Sequence, residues 1–299
     1  MAYMGDWLHG QGIDVHGMNL DQALEAADLD WTVETSQFRY GPKYQHREQG
    51  KQVAYRSDTG AFIDIYDQRI PYQNRDLVDM FKGYLEAADL ELGWLAQLYD
   101  GKEILAGAKI PQSSEMGNDR TDHFLLLRDS HVNGKGLKVS LYSNRFICTN
   151  GMNVVVQNQV IPHTRELNQR KQFMRDTIDQ VIAKIHEREQ NHQDLTQVEM
   201  SKEEATMQLI AAFGNPGQPV DDQPRVVQTA LALFNGQGKG SEFLTAYNTA
   251  YGLLQSVTEY YNWHAPRSEA KTALQSLLEG SRNQAMHQFE RQLVGVCLR

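Results

Sequence analysis

The sequence predicts an α+β protein: an antiparallel sheet with a long helix packed on it, followed by a helical C-terminal third. Three observations carry this. In the first half, apolar and polar residues alternate in short runs divided by turn signals, as in half-buried strands. From Leu167 the period changes, and Met174, Ile178, Val181, Ile182 and Ile185 recur at helical spacing. Beyond residue 190, apolar segments at helical spacing are separated by Gly and Pro.

Taken in order, Asn19 before LDQALEAADL predicts a capped helix, with Gln22 in the capping-box position. Trp31-Thr-Val-Glu-Thr starts a strand. VAYRSDTG and AFIDIYD alternate around Ser57-Asp58-Thr59-Gly60, a hairpin. RDLVDMFKGYLEAADLE is an amphipathic helix with Asn74 as N-cap and Leu77, Met80, Phe81, Tyr84, Leu85 and Ala88 on its buried face. WLAQLYDGKEILAGAKI turns at Asp100-Gly101. A polar loop is expected at Gln112–Thr121, and HFLLLRDSHVNGKG with LKVSLYSNRFICTN forms a further strand pair. From 53 to 189 the order is β-β-α-β-β-β-β-β-α with antiparallel connections, which places helices on one face of a sheet. The long helix is expected over 165–190, ending in the polar run that starts at Glu187. Ser201 with Glu204 opens another helix, stopped at Phe213-Gly-Asn-Pro, and FLTAYNTAYGLLQSVTEYYNWH reads as a single later helix. This divides the chain into an acidic N-terminal segment (1–38), an α+β core domain (39–190) and a helical region (191–299).

Of 299 residues, 29 are Lys or Arg and 38 are Asp or Glu, a formal charge of −9. Overall acidity argues against a protein that coats duplex DNA. There is no secretory signal and no run of ~20 apolar residues to span a membrane. Cys148 and Cys297 provide neither a disulfide framework nor metal-ligand spacing. The expectation is a reduced protein of the host-cell cytoplasm with no membrane partner.

Charge is unevenly spread. Residues 135–175 hold Lys135, Lys138, Arg145, Arg165, Arg170, Lys171 and Arg175 against the single acid Glu166, so this tract is +6 and the rest of the chain −15. Residues 1–38 show the reverse, with seven acids and no Lys or Arg. That segment is either an acidic helix docked at the domain edge or a screen over the basic stripe. Tyr142 and Phe146 lie in the same predicted strand as Lys138 and Arg145. Lys138, Tyr142 and Phe146 differ by four and share a strand face. Cations for phosphates and rings for bases are what single-strand binding with little sequence preference needs.

Motifs for other chemistries are missing. There is no Walker loop, GxSxG elbow, HExxH or GxGxxG after a strand. Gly134-Lys135-Gly136 and the GQGKG at 236–240 lack phosphate-loop spacing and read as flexible turns. A Cys/His nucleophile around His131, Cys148 and His163, or a metal on Asp129, His131 and His163, is conceivable, but no ligand pair sits at a diagnostic interval. No metal, cofactor or catalytic residue is assigned.

NRFICTNGM (144–152), DSH (129–131), PHT (162–164) and LLQSVTEYYNWH (253–264) together resemble the phage/plasmid-like proteins grouped as domain of unknown function 932. The resemblance covers roughly residues 30–290. Where that family usually has Asp after the motif His, this chain has Val132, which weakens a metal role there. The resemblance implies mobile-element biology and transfers no catalytic residue. An antiparallel sheet followed by a long helix is also analogous to single-strand annealing recombinases. The sequence reading is therefore a phage or plasmid protein that binds and anneals single-stranded DNA in recombination, as a homo-oligomer. The alternatives are an accessory protein that binds a host factor, such as a defence inhibitor, and an enzyme around His131, Cys148 and His163.

Overall fold

Two antiparallel sheets, with helices concentrated in the C-terminal part, make an α+β fold. The computed structural model describes residues 12–67, 71–87, 89–116, 119–133, 135–145, 150–157, 167–265 and 280–298. The strands are β1 (Ile13–Asp14), β2 (Val33–Tyr40), β3 (His46–Arg56), β4 (Phe62–Asp67), β5 (Trp94–Leu98), β6 (Glu103–Met116), β7 (Asp119–Ser130), β8 (Lys138–Arg145) and β9 (Asn150–Gln157). The helices are α1 (Leu20–Ala26), α2 (Asn74–Glu86), α3 (Leu167–Thr196), α4 (Lys202–Phe213), α5 (Arg225–Ala232), α6 (Ala250–Glu259) and α7 (Ser281–Cys297). One sheet runs β1-β5-β6-β7-β8-β9 and the other β2-β3-β4. From β3 to α3 the element order is the predicted one.

Strand alternation sorts the side chains of the larger sheet. On one face, Ile104, Leu125, Leu127, Val139 and Leu141 pack with Leu77, Phe81 and Leu85 of α2 and with Val181 and Ile185 of α3. Ala23 and Leu24 of α1 and the buried Leu29 and Trp31 join this core, so the acidic helix is docked. On the other face, Trp94, Leu98, Leu105, Phe124, Leu126 and Tyr142 form a second buried cluster. A third core lies among the C-terminal helices, where Leu195 meets Leu209, Leu231, Leu253, Phe289 and Leu293. The long helix thus has residues in two cores.

The capping boxes form where the sequence puts them. Gln22 N–H donates to Asn19 Oδ1 at 3.0 Å, and Glu204 N–H to Ser201 Oγ at 3.2 Å. Four expectations are corrected. The polar stretch 112–121 is the distal half of the β6–β7 hairpin, with Ser113 opposite Asp122 and Glu115 opposite Arg120. Its polarity reflects distance from the core, and the register slips between Lys109 and Ser113, around Pro111, which cannot donate to a ladder. Helix α3 runs on to Thr196 because its polar run carries residues that the C-terminal helices bury. The later helix starts at Ala250, where Thr249 Oγ1 accepts from Gly252 N–H at 3.0 Å. Gly252 is required there, since a Cβ would meet Ala246 O at 1.8 Å.

The fourth correction is that Gln73, not Asn74, caps α2. Asn74 is buried and engaged elsewhere: its Nδ2 donates to Leu29 O and Trp31 O, both at 3.0 Å. Its Oδ1 is left to accept from His131 Nε2 at 2.8 Å, which fixes the imidazole tautomer. The rest of the DSH segment is equally tied. Asp129 Oδ1 accepts from Ser130 N–H at 2.7 Å, Ser130 Oγ donates to Lys102 O at 3.1 Å, and Tyr66 Oη donates to His131 O at 2.7 Å. Asn133 then holds β4, its N–H on Asp64 Oδ2 at 2.7 Å and its Nδ2 on Ile65 O at 2.6 Å. This knot joins the two sheets and α2. Replacing Asn74 by Ala strands two carbonyls and one imidazole N–H in the interior, at ~1–3 kcal/mol for each. We expect Asn74→Ala to lose roughly 3 kcal/mol in denaturant unfolding, and Asn74→Asp at least as much. A loss under about 1 kcal/mol would show that water replaces the amide.

Candidate nucleic-acid interface and the buried polar seam

The basic stripe begins where β7 turns into β8 and ends in the first turns of α3. Lys135 Nζ lies 2.6 Å from Glu103 Oε1. Glu103 is 1 % exposed and also accepts from Arg128 Nε at 2.7 Å. Lys135 therefore offsets a buried carboxylate. Lys138 is partly exposed and stands directly opposite Arg128 in the ladder. The sequence expectation for Tyr142 is corrected: its ring is 3 % exposed and packs against Phe124, with centroids 6.4 Å apart. Strand alternation does put it on the face of Lys138, but that part of the face is core. It is no open platform for a base. Arg145 ends β8, and Arg170, Lys171 and Arg175 fall in the opening turns of α3; for these four the backbone is described. Phe146, Cys148, His163 and Arg165 lie outside the described residues.

Sequence reasoning missed a polar seam between sheet, long helix and C-terminal helix. His123 and Ser143 are cross-strand partners, with Nδ1 2.9 Å from the hydroxyl. His123 Nε2 reaches Glu189 Oε1 of α3 at 3.4 Å, so Nδ1 is the acceptor for Ser143. One turn of helix further, Glu290 Oε1 accepts from Arg188 Nε at 2.6 Å and from His192 Nε2 at 2.7 Å, while His287 Nδ1 is 3.4 Å from Oε2. Burial alone would raise the Glu290 carboxyl, but Arg188 and the histidines outweigh it and hold it well below the usual range. Burial also lowers His192. Nothing in the sequence pairs 188 with 290, since the two are brought together by tertiary packing alone. The one available signal is Arg188, His192 and Leu195 recurring at helical spacing through the polar run in which the helix was expected to end.

Ser143, His123 and Glu189 are the residue types of a nucleophilic triad. Burial pushes His123 down to about 4, with Glu189 and Arg188 acting in opposite directions on it. A general base works best with a pKa near the operating pH, and Ser143 is 9 % exposed, so the trio is better suited to holding the sheet on α3 than to chemistry. His131 is likewise engaged in the core, 2 % exposed and edge-on to Trp31 at 5.8 Å. Among the described residues no group of three or more His, Cys, Asp or Glu is arranged to hold a metal, and no helix is long and apolar enough to cross a membrane.

The seam makes stability depend on pH. Folded His123 titrates about 4 and an unfolded imidazole near 6.5, so the unfolded chain binds the extra proton between those values. Stability is level above pH 6.5 and falls as pH drops toward 4, by roughly 3 kcal/mol for this residue. His192 acts in the same direction, and Glu290 adds a loss below its unfolded value of 4.5. His123→Gln should flatten the melting temperature against pH between 6.5 and 4.5 relative to the parent. Parallel curves would mean His123 is protonated in the fold.

No curated protein and no solved structure matches the chain significantly. A family model does, over residues 70–288, from the strand-flanked helix α2 into α7 and including the DSH segment and the whole basic stripe. The chain belongs to the family described as Domain of unknown function (DUF932).

Proposed function

We propose that this chain is a mobile-element protein that binds single-stranded DNA and promotes its annealing during recombination in the host cytoplasm. One observation carries the reading: seven Lys/Arg and one acid within residues 135–175 of a chain whose net charge is −9. Such a tract attracts a polyanion by counterion release without reading sequence. Its place supports the reading too, because β8 and β9 end the larger sheet and α3 is the next described element of the chain. On this reading the phosphates are bound by Lys138, Arg145, Arg165, Arg170, Lys171 and Arg175, with Lys135, 2.6 Å from Glu103, left out of the count. Annealing brings two bound strands together, which a homo-oligomer would do.

The test is anisotropy of a fluorescent oligo-dT across a salt series. Single-strand binding predicts a slope of log K on log [salt] of about −0.7 per phosphate, near −4 for six contacts. Arg170→Glu with Lys171→Glu should make the slope shallower by at least 1.4 and leave the melting temperature unchanged. No measurable affinity at low salt would overturn the reading.

A further inference from the structure

The hairpin of β2 and β3 outruns its own sheet. Strand β4 pairs with β3 only over Lys51–Tyr55, whereas β2 and β3 continue beyond as a bare two-stranded ribbon, with Arg39 opposite Arg47 and Tyr40 opposite His46. Every residue from Arg39 to Gln49 is exposed. At ~3.3 Å per residue the ribbon stands roughly 20 Å beyond β4.

Its composition is unusual for a solvated turn. Tyr40 is 49 % exposed and Tyr44 71 %. The rings of Phe38 and Tyr40 are 6.0 Å apart at 27°, and those of Tyr40 and His46 5.5 Å apart at 31°, so one ribbon face presents three neighbouring rings. Strand alternation puts Arg39 and Arg47 on the other face. Between 39 and 51 there are four cations (Arg39, Lys43, Arg47, Lys51) and one acid, Glu48. Lys51 pairs with Asp67, but none of Arg39, Lys43 and Arg47 has an ion-pair partner among the described residues. At the tip, Lys43 and Tyr44 hold φ of 56° and 52°, the left-handed region that side chains avoid.

Each of these features is unfavourable in the free protein. An uncovered two-stranded ribbon is marginal in water, directly opposed like charges repel, and exposed rings remain hydrated. A flexible polyanion with flat apolar faces relieves all three. Its phosphates neutralise Arg39, Lys43 and Arg47, and its unstacked bases cover the rings. Duplex DNA offers the phosphates but keeps its base faces stacked.

We propose that the β2–β3 ribbon is a second single-strand contact, an arm whose Phe38, Tyr40, Tyr44 and His46 stack bases while Arg39, Lys43 and Arg47 bind phosphates. The inference deepens the single-strand reading above and rests on it. It also supplies the stacking surface that Tyr142 does not.

The experiment compares the full-length protein with three variants on labelled (dT)20 and on a 20-base-pair duplex. The arm variants are Tyr40→Ala/Tyr44→Ala and Arg39→Glu/Arg47→Glu; the stripe variant is Arg170→Glu/Lys171→Glu. Both arm variants should weaken (dT)20 binding about tenfold or more, with melting temperatures unchanged because residues 39–49 lie outside the cores. Ultraviolet cross-linking of 5-iodo-deoxyuridine oligonucleotide should map to the peptide holding Tyr40 and Tyr44. If a double variant melts early, Tyr44→Ala alone serves, and its loss of affinity should be severalfold. Arm variants that bind like the parent while the stripe variant fails would overturn the arm and leave the stripe. Loss in the arm variants with an unaffected stripe variant would support the arm and overturn the stripe. Tighter binding to the duplex than to (dT)20 would overturn the stacking role. A parent protein that binds neither probe would overturn both proposals.

Discussion

The arrangement depends most on helix α3, which has to satisfy two hydrophobic cores at once. Its thirty residues span about 45 Å. Val181 and Ile185 are buried against the larger sheet, and Leu195, three turns on, is buried among the C-terminal helices. Between them the helix passes from one core to the other, and there its inward residues are Arg188, Glu189 and His192 rather than aliphatics. A polar stretch inside a protein is tolerable only if each group finds a partner. Glu290, Glu189 and the histidines provide those partners. Removing Glu290 would take away the buried carboxylate to which both Arg188 and His192 donate, and breaking a buried charged pair is costly. The seam therefore fixes how α3 sits on both bodies more sharply than apolar packing alone.

The DSH segment has a comparable task at the other end of β7. The turn after β7 has to hold β4 and α2, which approach from different directions. Short polar side chains do this because each can bond backbone and side chain together: Ser130 with Lys102 O, His131 with Asn74, Asn133 with Asp64 and Ile65. A His in such a place looks catalytic in a linear sequence. In the fold its ring is closed off by Trp31 and Asn74, and its distinctiveness reflects architecture.

What was legible in the sequence follows the range of the forces involved. Hairpin turns, capping boxes and the change of period at Leu167 depend on residues within four or five of each other, and those readings match the structure. Three misreadings share one cause. The distal β6–β7 hairpin, the end of α3 and the role of Asn74 were all judged by polarity, yet polarity reports distance from the core and not backbone state. A strand pair that has left the core, such as Ser113–Glu115 against Arg120–Asp122, reads as a loop. A helix whose polar face is buried against another polar face reads as frayed. Tyr142 shows the converse, since strand alternation gives its face but not what lies on that face. The ribbon tip SQFRYGPKYQHREQGK could have been found from sequence: aromatic and basic residues interleave there around Gly41-Pro42, immediately after a stretch with no Lys or Arg. The longer stripe at 135–175 outweighs it in positive charge.

The distribution of charge gives these pieces a common logic. The acids of the N-terminal segment are partly spent on the body, where Asp21 pairs with Arg75 and Asp28 lies 3.7 Å from the Arg56 guanidinium and bonds Gln97 at 2.6 Å. Positive formal charge is concentrated in two tracts of the sequence, residues 39–51 and 135–175, in a chain of net charge −9. On the proposed reading the acidic body repels a polyanion everywhere else and so steers its approach to those tracts. A strand held at two separated places loses less orientational freedom at the second contact than at the first, so modest patches can combine into firm binding. On the same reading a stiff duplex, whose base faces stay stacked, gains nothing from the exposed rings of the ribbon. An acidic protein can in this way select single strands by shape and flexibility, with no base read at all.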